Sequence, residues 1–288
     1  MKYTALIGCP TSQSPSPHLF SIYASEHGAE YAHLKIDIPP SGQNLKDALV
    51  AFKKLGFSGL NVTIPHKLAV IQYLDEIDPF AKKIGAVNTI AIRDEKLIGY
   101  NTDYIGVRKA VEGTLGRSLG QEDSVVVLGS GGAAKACVGA FQGVVSNIAA
   151  LYRSPVSKNT HDFIERFSNE ISIYEHSSSK AIEALNSARI ICNATSVGMS
   201  PNSESSVLDV YNTLNAQQDR ERIYFDAVYS PHMTKFLTDA HKSGSKVAYG
   251  VDMMIFQGVE AFRLWTGLET SDETIDRARN YLLKRLGG

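Results

Sequence analysis

The chain has 288 residues, with 29 Lys and Arg set against 30 Asp and Glu for a formal net charge of −1. That balance lacks the concentrated positive charge needed to neutralise phosphates along a nucleic acid, so no nucleic-acid partner is expected. With 43% hydrophobic and 20% charged residues, the chain can bury one large core or two smaller ones, and wholesale disorder is excluded.

The apolar stretch Tyr3 to Ile7 stops at Gly8-Cys9-Pro10, too short for a secretory segment or a membrane span, which predicts a cytoplasmic protein with no membrane partner. Cys9, Cys137 and Cys192 are odd in number and widely spaced, so they read as buried thiols, with neither a disulfide framework nor a metal site. Strands are predicted over Tyr3 to Ile7, Tyr31 to Ile38 and Gly59 to Ile64, and helices over Pro17 to His27 and Asn44 to Leu55. Asn88 to Ile92 and Lys96 to Tyr100 flank Arg93-Asp94-Glu95 as a hairpin, and the polar, Gly-rich segment Glu112 to Asp123 reads as a connection.

Val125 to Leu128 is an unbroken apolar run, as expected for a strand covered on both sheet faces, and a predicted helix over Ala133 to Val145 follows Gly129-Ser130-Gly131-Gly132. Further strands are predicted over Ile148 to Tyr152, Ile171 to Tyr174, Arg189 to Cys192, Ile223 to Asp226 and Lys246 to Tyr249. After Gly250 come two helices, Met253 to Trp265 and Asp272 to Leu286. The pattern predicts an α/β protein in which a doubly wound, Rossmann-type domain over 104–249 interrupts a discontinuous α/β domain formed by 1–103 and 250–288.

Gly129-Ser130-Gly131-Gly132-Ala133 follows a shortened dinucleotide fingerprint: absent side chains let the backbone approach a pyrophosphate, and a helix start directs free amides at it. Taken alone, such a glycine cluster is equally a tight turn. At the end of the next strand Tyr152-Arg153-Ser154-Pro155 stands where an acidic residue would accept hydrogen bonds from a ribose. Arg153 suits a ribose 2′-phosphate instead, or is simply a solvated strand end. Ser154 is placed to cap the next helix with Pro155 in its first turn, or to reach the same phosphate.

In the first domain, Ser14-Pro15-Ser16-Pro17 is a rigid loop presenting hydroxyls, suited to a carboxylate or polyol; read as structure alone, Ser16 is a helix N-cap. Strand alternation over Gly59 to Ile64 puts Asn61 and Thr63 on one face, ahead of Lys67. A lysine there is able to donate a proton, and Asp103, at the hand-over between domains, is either its orienting carboxylate or the N-cap of the helix from Tyr104.

In that order, Ser14-Pro15-Ser16-Pro17, Asn61-Val62-Thr63-Ile64-Pro65-His66-Lys67, Gly85-Ala86-Val87-Asn88-Thr89, Asn101-Thr102-Asp103, Gly129-Ser130-Gly131-Gly132-Ala133, Asn193-Ala194-Thr195-Ser196-Val197-Gly198-Met199, Asp226-Ala227-Val228-Tyr229 with Pro231 and Thr234, and Gln257-Gly258 with Trp265-Thr266-Gly267 resemble the shikimate dehydrogenase family. The resemblance covers nearly the whole chain. It implies NADPH-dependent reduction of 3-dehydroshikimate to shikimate on the route to aromatic amino acids, with Lys67 and Asp103 as the catalytic pair. It further implies that Ser14 and Ser16 hold the substrate carboxylate and that Asn61, Thr63, Asn88, Tyr229 and Gln257 surround the ring hydroxyls. Gly129, Ser130, Gly131, Gly132, Ala133, Tyr152, Arg153, Ser154, Thr195 and Gly250 would hold NADP, the two domains closing around the ligands, in a monomer or homodimer.

Two departures bear on specificity. Tyr152 stands where the family's NADP loop usually begins with Asn, and Ser157 or Lys158 where a second Arg often follows, which leaves NAD as the alternative cofactor. Pro231 to Lys235 and the C-terminal helices also resemble the quinate/shikimate branch, with quinate as a further substrate. A dinucleotide sensor without turnover is the alternative from another class, and it would bind ligand with no absorbance change at the nicotinamide band.

Overall fold

Strand and helix alternate along the chain as the hydrophobic runs predict. The computed structural model describes residues 1–153, 155–210 and 221–287. Its elements begin with β1 (Lys2–Gly8), α1 (Ser16–Ser25), β2 (Tyr31–Asp37), α2 (Gly42–Lys54), β3 (Gly59–Val62), α3 (His66–Ala69), β4 (Glu76–Ile77), α4 (Pro79–Ile84), β5 (Thr89–Arg93) and β6 (Lys96–Tyr100). There follow α5 (Asp103–Leu115), β7 (Ser124–Leu128), α6 (Gly132–Phe141), β8 (Asn147–Tyr152), α7 (Lys158–Phe167), β9 (Ser172–Glu175), α8 (Ser179–Ser187) and β10 (Ile190–Asn193). The last are β11 (Ile223–Asp226), α9 (Lys235–Lys242), β12 (Lys246–Ala248), α10 (Gly250–Thr266) and α11 (Asp272–Arg285). Two compact units divide the chain: Met1–Asp103 with Ile255–Lys284, and Tyr104–Met254 with Arg285–Gly288.

In the first unit six strands form a mixed sheet in the order β2-β1-β3-β5-β6-β4. β1 pairs in parallel with β2 and β3, whereas β5 is antiparallel to both β3 and β6. The β5–β6 turn is tighter than the three charged residues suggest: Arg93 pairs with Lys96, leaving Asp94 and Glu95 at φ 47° and 61°, the left-handed pair that a two-residue hairpin requires. Ala5, Ile7, Leu60 and Val62 share one core with Leu45, Leu49 and Phe52 of α2. On the opposite face Thr4 is in register with Gly59, and Leu6 with Asn61. Trp265 packs here: its Nε1 donates to the Ile90 carbonyl at 2.8 Å, and a Cβ on Gly59 would lie 2.1 Å from that nitrogen. Only glycine permits this approach.

The second unit is a parallel sheet in the order β12-β11-β10-β7-β8-β9. Numbered from β7 this is the doubly wound order 3-2-1-4-5-6, with its switch point between β7 and β10. Val125 and Val127 pack with Cys137, Val138 and Phe141 of α6, while Val126 and Leu128 pack with Leu185, Phe236 and Leu237 on the other face. Burial on both faces is why β7 is apolar without interruption. The polar connection after α5 is shorter than the sequence suggests, since α5 continues through Glu112 to Leu115. Among the described residues, no helix is long and apolar enough to cross a membrane and no group of three His, Cys, Asp or Glu is placed to hold a metal ion.

Gly59→Ala is expected to destabilise the first unit by about 1–3 kcal/mol, because the new methyl must displace the indole. Trp265 is the chain's single tryptophan, so urea unfolding followed by its fluorescence reads that unit directly.

Candidate active site

Lys67 is the second residue of α3, a single turn that Pro65 precedes and that His66 anchors by its Nε2 contact with the Ile38 carbonyl at 2.7 Å. The Lys67 carbonyl accepts from Val87 N–H at 2.9 Å, tying α3 to the strand that leads into β5. Asp103 opens α5, where its own N–H donates to Asn101 Oδ1 at 3.0 Å. The Asn101 side chain thus satisfies the first backbone N–H of α5, and the Asp103 carboxylate has other partners. Its Oδ2 receives Lys67 Nζ at 2.7 Å and its Oδ1 receives Asn88 Nδ2 at 2.8 Å. The side chains of Lys67 and Asp103 are 31% and 16% exposed, shielded yet still within reach of a ligand.

Asn88 is the hub of this cluster. Its Oδ1 accepts from Thr102 N–H at 2.7 Å and from Thr89 Oγ1 at 3.1 Å, while its Nδ2 is shared among Asp103, Thr102 Oγ1 at 3.0 Å and Gln257 Oε1 at 3.5 Å. Asn61 Nδ2 donates to Thr89 Oγ1 at 3.2 Å. Lys67, Asp103, Asn88, Asn61 and Gln257 thus form one hydrogen-bonded group within the first unit. Thr89, Asn101 and Thr102 belong to it too, although the sequence assigned them no role; their position inside quoted motifs was the available signal.

Thr63 follows the end of β3 rather than lying within it, so strand alternation is not what orients it. Its N–H donates to the Ile7 carbonyl at 2.9 Å, and a Cβ on Gly8 would come within 2.3 Å of its Cγ2. Ser16 is the first residue of α1 and not its N-cap: Pro15 holds that position, and Ser14 Oγ accepts from Ser16 N–H at 3.3 Å while donating to Ser16 Oγ at 3.1 Å. The loop carrying both serines is pinned by Thr11, whose N–H and hydroxyl donate to Asp37 Oδ1 at 2.8 and 2.5 Å.

Tyr229 lies in the second unit, exposed, three residues past β11. Gly250 begins α10 in the same unit, where a Cβ would sit 2.6 Å from the Val228 carbonyl oxygen. That contact gives Gly250 a packing reason of its own. Gly129 has φ +117°, and a Cβ on it would press on the Ala194 carbonyl and Thr195 Cγ2 at 3.0 Å, so the loops after β7 and β10 meet at the switch point. A Cβ on Gly131 or Gly132 would meet nothing within 4 Å, and no side chain caps α6. A helix N-terminus with open space over bare backbone amides fits a dinucleotide pyrophosphate. Ser130 Oγ is paired with Thr160 Oγ1 at 2.9 Å, Tyr152 ends β8, and Arg153 is exposed just beyond it. Ser154 lies outside the described residues. The cap of α7 is Ser157, which accepts from Thr160 N–H, so Pro155 stands ahead of the helix and not in its first turn.

The family model for the shikimate dehydrogenase substrate-binding domain matches residues 6–90, and that for the shikimate 5′-dehydrogenase C-terminal domain matches 250–277. The shikimate dehydrogenase (NADP(+)) of Methanocaldococcus jannaschii is 38% identical over 281 residues, covering 96% of this chain and 95% of its own. The chain belongs to the shikimate dehydrogenase family. Among solved structures, the shikimate 5-dehydrogenase of Thermus thermophilus in complex with NADP(H) and shikimate is 31% identical, with a TM-score of 0.81 over 98% of this chain and 100% of that one. The quinate dehydrogenase of Corynebacterium glutamicum in complex with NAD is 30% identical, with a TM-score of 0.83 over 98% and 99%.

In this member of the family, a buried carboxylate secures the loops at the switch-point end of the second sheet. Asp226, fully buried, accepts from Thr234 Oγ1 at 2.6 Å, Val228 N–H at 2.9 Å and Asn193 Nδ2 at 3.0 Å. Asn193 Oδ1 in turn accepts from the N–H and hydroxyl of Thr195 at 3.1 and 2.7 Å. Burial pushes the Asp226 carboxyl up to about 6, against the three hydrogen bonds that favour its charged form. Because the folded-state value is raised, protonation favours the folded protein: this contribution is complete below about pH 4 and lost as pH rises through about 6. Wild type should therefore gain stability relative to Asp226→Asn as pH falls from about 7 to about 4, read as a shrinking or inverting gap between their calorimetric melting temperatures.

Proposed function

We propose that this chain catalyses the reversible NADPH-dependent reduction of 3-dehydroshikimate to shikimate, the reaction of the aromatic amino acid pathway, with Lys67 and Asp103 as its catalytic pair. The observation that carries the assignment of roles is the 2.7 Å contact between Lys67 Nζ and Asp103 Oδ2, with Asn88 on the other carboxylate oxygen. Bound NADPH supplies a hydride to the ketone carbon. As negative charge develops on the ketone oxygen, Lys67 Nζ, already aligned by Asp103, donates a hydrogen bond and then its proton, so that the C=O becomes CH–OH. In the oxidative direction the neutral amine takes that proton back.

The substrate carboxylate is assigned to the Ser14 and Ser16 hydroxyls, which the Thr11–Asp37 anchor holds beside the start of α1. Asn61 spends its amide nitrogen on Thr89 and would meet a ring hydroxyl through Oδ1. Thr63, Gln257 and Tyr229 complete the set. Asn88 is so fully engaged by Asp103, Thr102 and Thr89 that its main contribution is to position Asp103. For the cofactor, the open backbone at Gly131, Gly132 and Ala133 is assigned to the pyrophosphate, Gly129 with Ser130 and Thr195 to the surrounding loops, and Tyr152, Arg153 and Ser154 to the adenosine end. Gly250 completes that set. NADP is the cofactor named for the M. jannaschii relative, and an arginine in place of a ribose-binding carboxylate favours the same choice here.

Steady-state kinetics with shikimate or quinate, each with NADP or NAD, test the reading directly, and the specificity constant should be highest for shikimate with NADP. A preference for quinate with NAD would assign the chain to the other branch. Lys67→Ala and Asp103→Ala should each lose about 100-fold or more in turnover while still binding shikimate by calorimetry, and full activity in either would remove that residue from the mechanism.

A further inference from the structure

Lys135 has no part in the roles assigned so far, yet it is a lysine buried among the side chains of the second unit. It is the fourth residue of α6, three past Gly132, and its N–H closes the first helical turn on the Gly131 carbonyl at 3.1 Å. Only 6% of the residue is exposed, in a helix otherwise lined with small and apolar side chains. Among the described residues its ammonium has no hydrogen-bond or ion-pair partner. Its charged neighbours are Asp162 and Arg166, one turn apart on α7, and burial together with Arg166 disfavours the ammonium more than Asp162 favours it. A lysine whose stem is buried and whose ammonium, at the edge of that burial, has no bonded anion is stabilised when an anion arrives.

The surroundings indicate which anion. Side chains on a helix set out towards its N-terminus, and the N-terminus of α6, one turn before Lys135, is the glycine turn with its bare amides. Ser130, in that turn, is bonded to Thr160 in the first turn of α7, and Thr160 to Ser157 at 2.9 Å, which holds the start of α7 beside the glycine turn. Beyond Arg153 the chain has no second arginine at the start of α7: Ser157 is occupied as a helix cap, and Lys158 is exposed.

We propose that Lys135 is a cofactor-binding residue whose ammonium meets a phosphate group of the bound dinucleotide and serves, with Arg153, as its second cation. This rests on the reading of NADP as cofactor. The test is titration calorimetry of wild type, Lys135→Met and Lys135→Arg with two probes, 2′,5′-ADP and ADP. Lys135→Met, close in volume but uncharged, should bind 2′,5′-ADP at least about tenfold more weakly, and Lys135→Arg should retain most of the affinity. Loss confined to 2′,5′-ADP assigns the ammonium to the 2′-phosphate; a loss with ADP, the probe that carries a 5′-diphosphate, assigns it to the bridging diphosphate. Unchanged affinity for both probes in the Met variant overturns the proposal, and a lowered melting temperature alongside it would make Lys135 a structural partner of Asp162. Should Lys135→Met fail to fold, Lys135→Gln serves the same comparison. Wild type that binds 2′,5′-ADP no better than ADP would instead overturn the NADP reading itself.

Discussion

Everything at the candidate site depends on a carboxylate whose two oxygens are committed before any ligand arrives. Asp103 holds Lys67 with one oxygen and is itself held by Asn88 through the other, while Asn101 fixes its backbone. The two hydrogen bonds give the pair a defined arrangement. An ammonium aligned in this way meets developing negative charge without reorganising first, which is the source of most electrostatic catalysis. The cost of holding polar groups out of water is offset because each one in the cluster has a partner.

The elements converge on that carboxylate for reasons of backbone as well as side chain. β5 and β6 are joined by a two-residue turn, so the residues flanking the hairpin, Asn88 and Asn101-Thr102, emerge side by side at its open end. The Val87 N–H bond to the Lys67 carbonyl then sets α3 against the same edge. The second unit uses a comparable device: Asp226 at the end of β11 clamps Asn193 at the end of β10, and Asn193 fixes Thr195 beside Gly129. In both units a polar side chain at a strand end shapes the loops that are assigned to ligand.

Much of this was legible in the sequence. The unbroken apolar run before Gly129, its glycine turn and the small-residue helix behind it identify a doubly wound strand, since only burial on both faces tolerates such a run. Lys67 and Asp103 stood out through the motifs around them, Asn61 to Lys67 and Asn101-Thr102-Asp103, although the sequence left Asp103 open to a capping role. What failed were judgements about local capping. Ser16, Asp103 and Ser154-Pro155 all satisfy the composition of a helix start, yet Pro15 and Ser157 hold the cap positions of α1 and α7, and Asp103 is already the first residue of α5. Several residues in each stretch have the right chemistry, and the one that caps is decided by where neighbouring strands leave the chain. Likewise Thr63 lies past the end of its strand, against Gly8, a contact between segments that no periodicity records.

The sequence by itself determined the fold class, the glycine turn and which residues are candidates for the chemistry, because strand burial, backbone freedom and side-chain chemistry are local properties of residue type and spacing. Only the tertiary structure decided how those residues are held. Asn88 as hub, Gly59 as the space for Trp265, Asp226 as clamp and Lys135 as a buried residue with no bonded anion among the described residues all arise from groups far apart in the chain. Their energies depend on what else has been excluded from around them, water above all, and that exclusion exists only once the chain has folded.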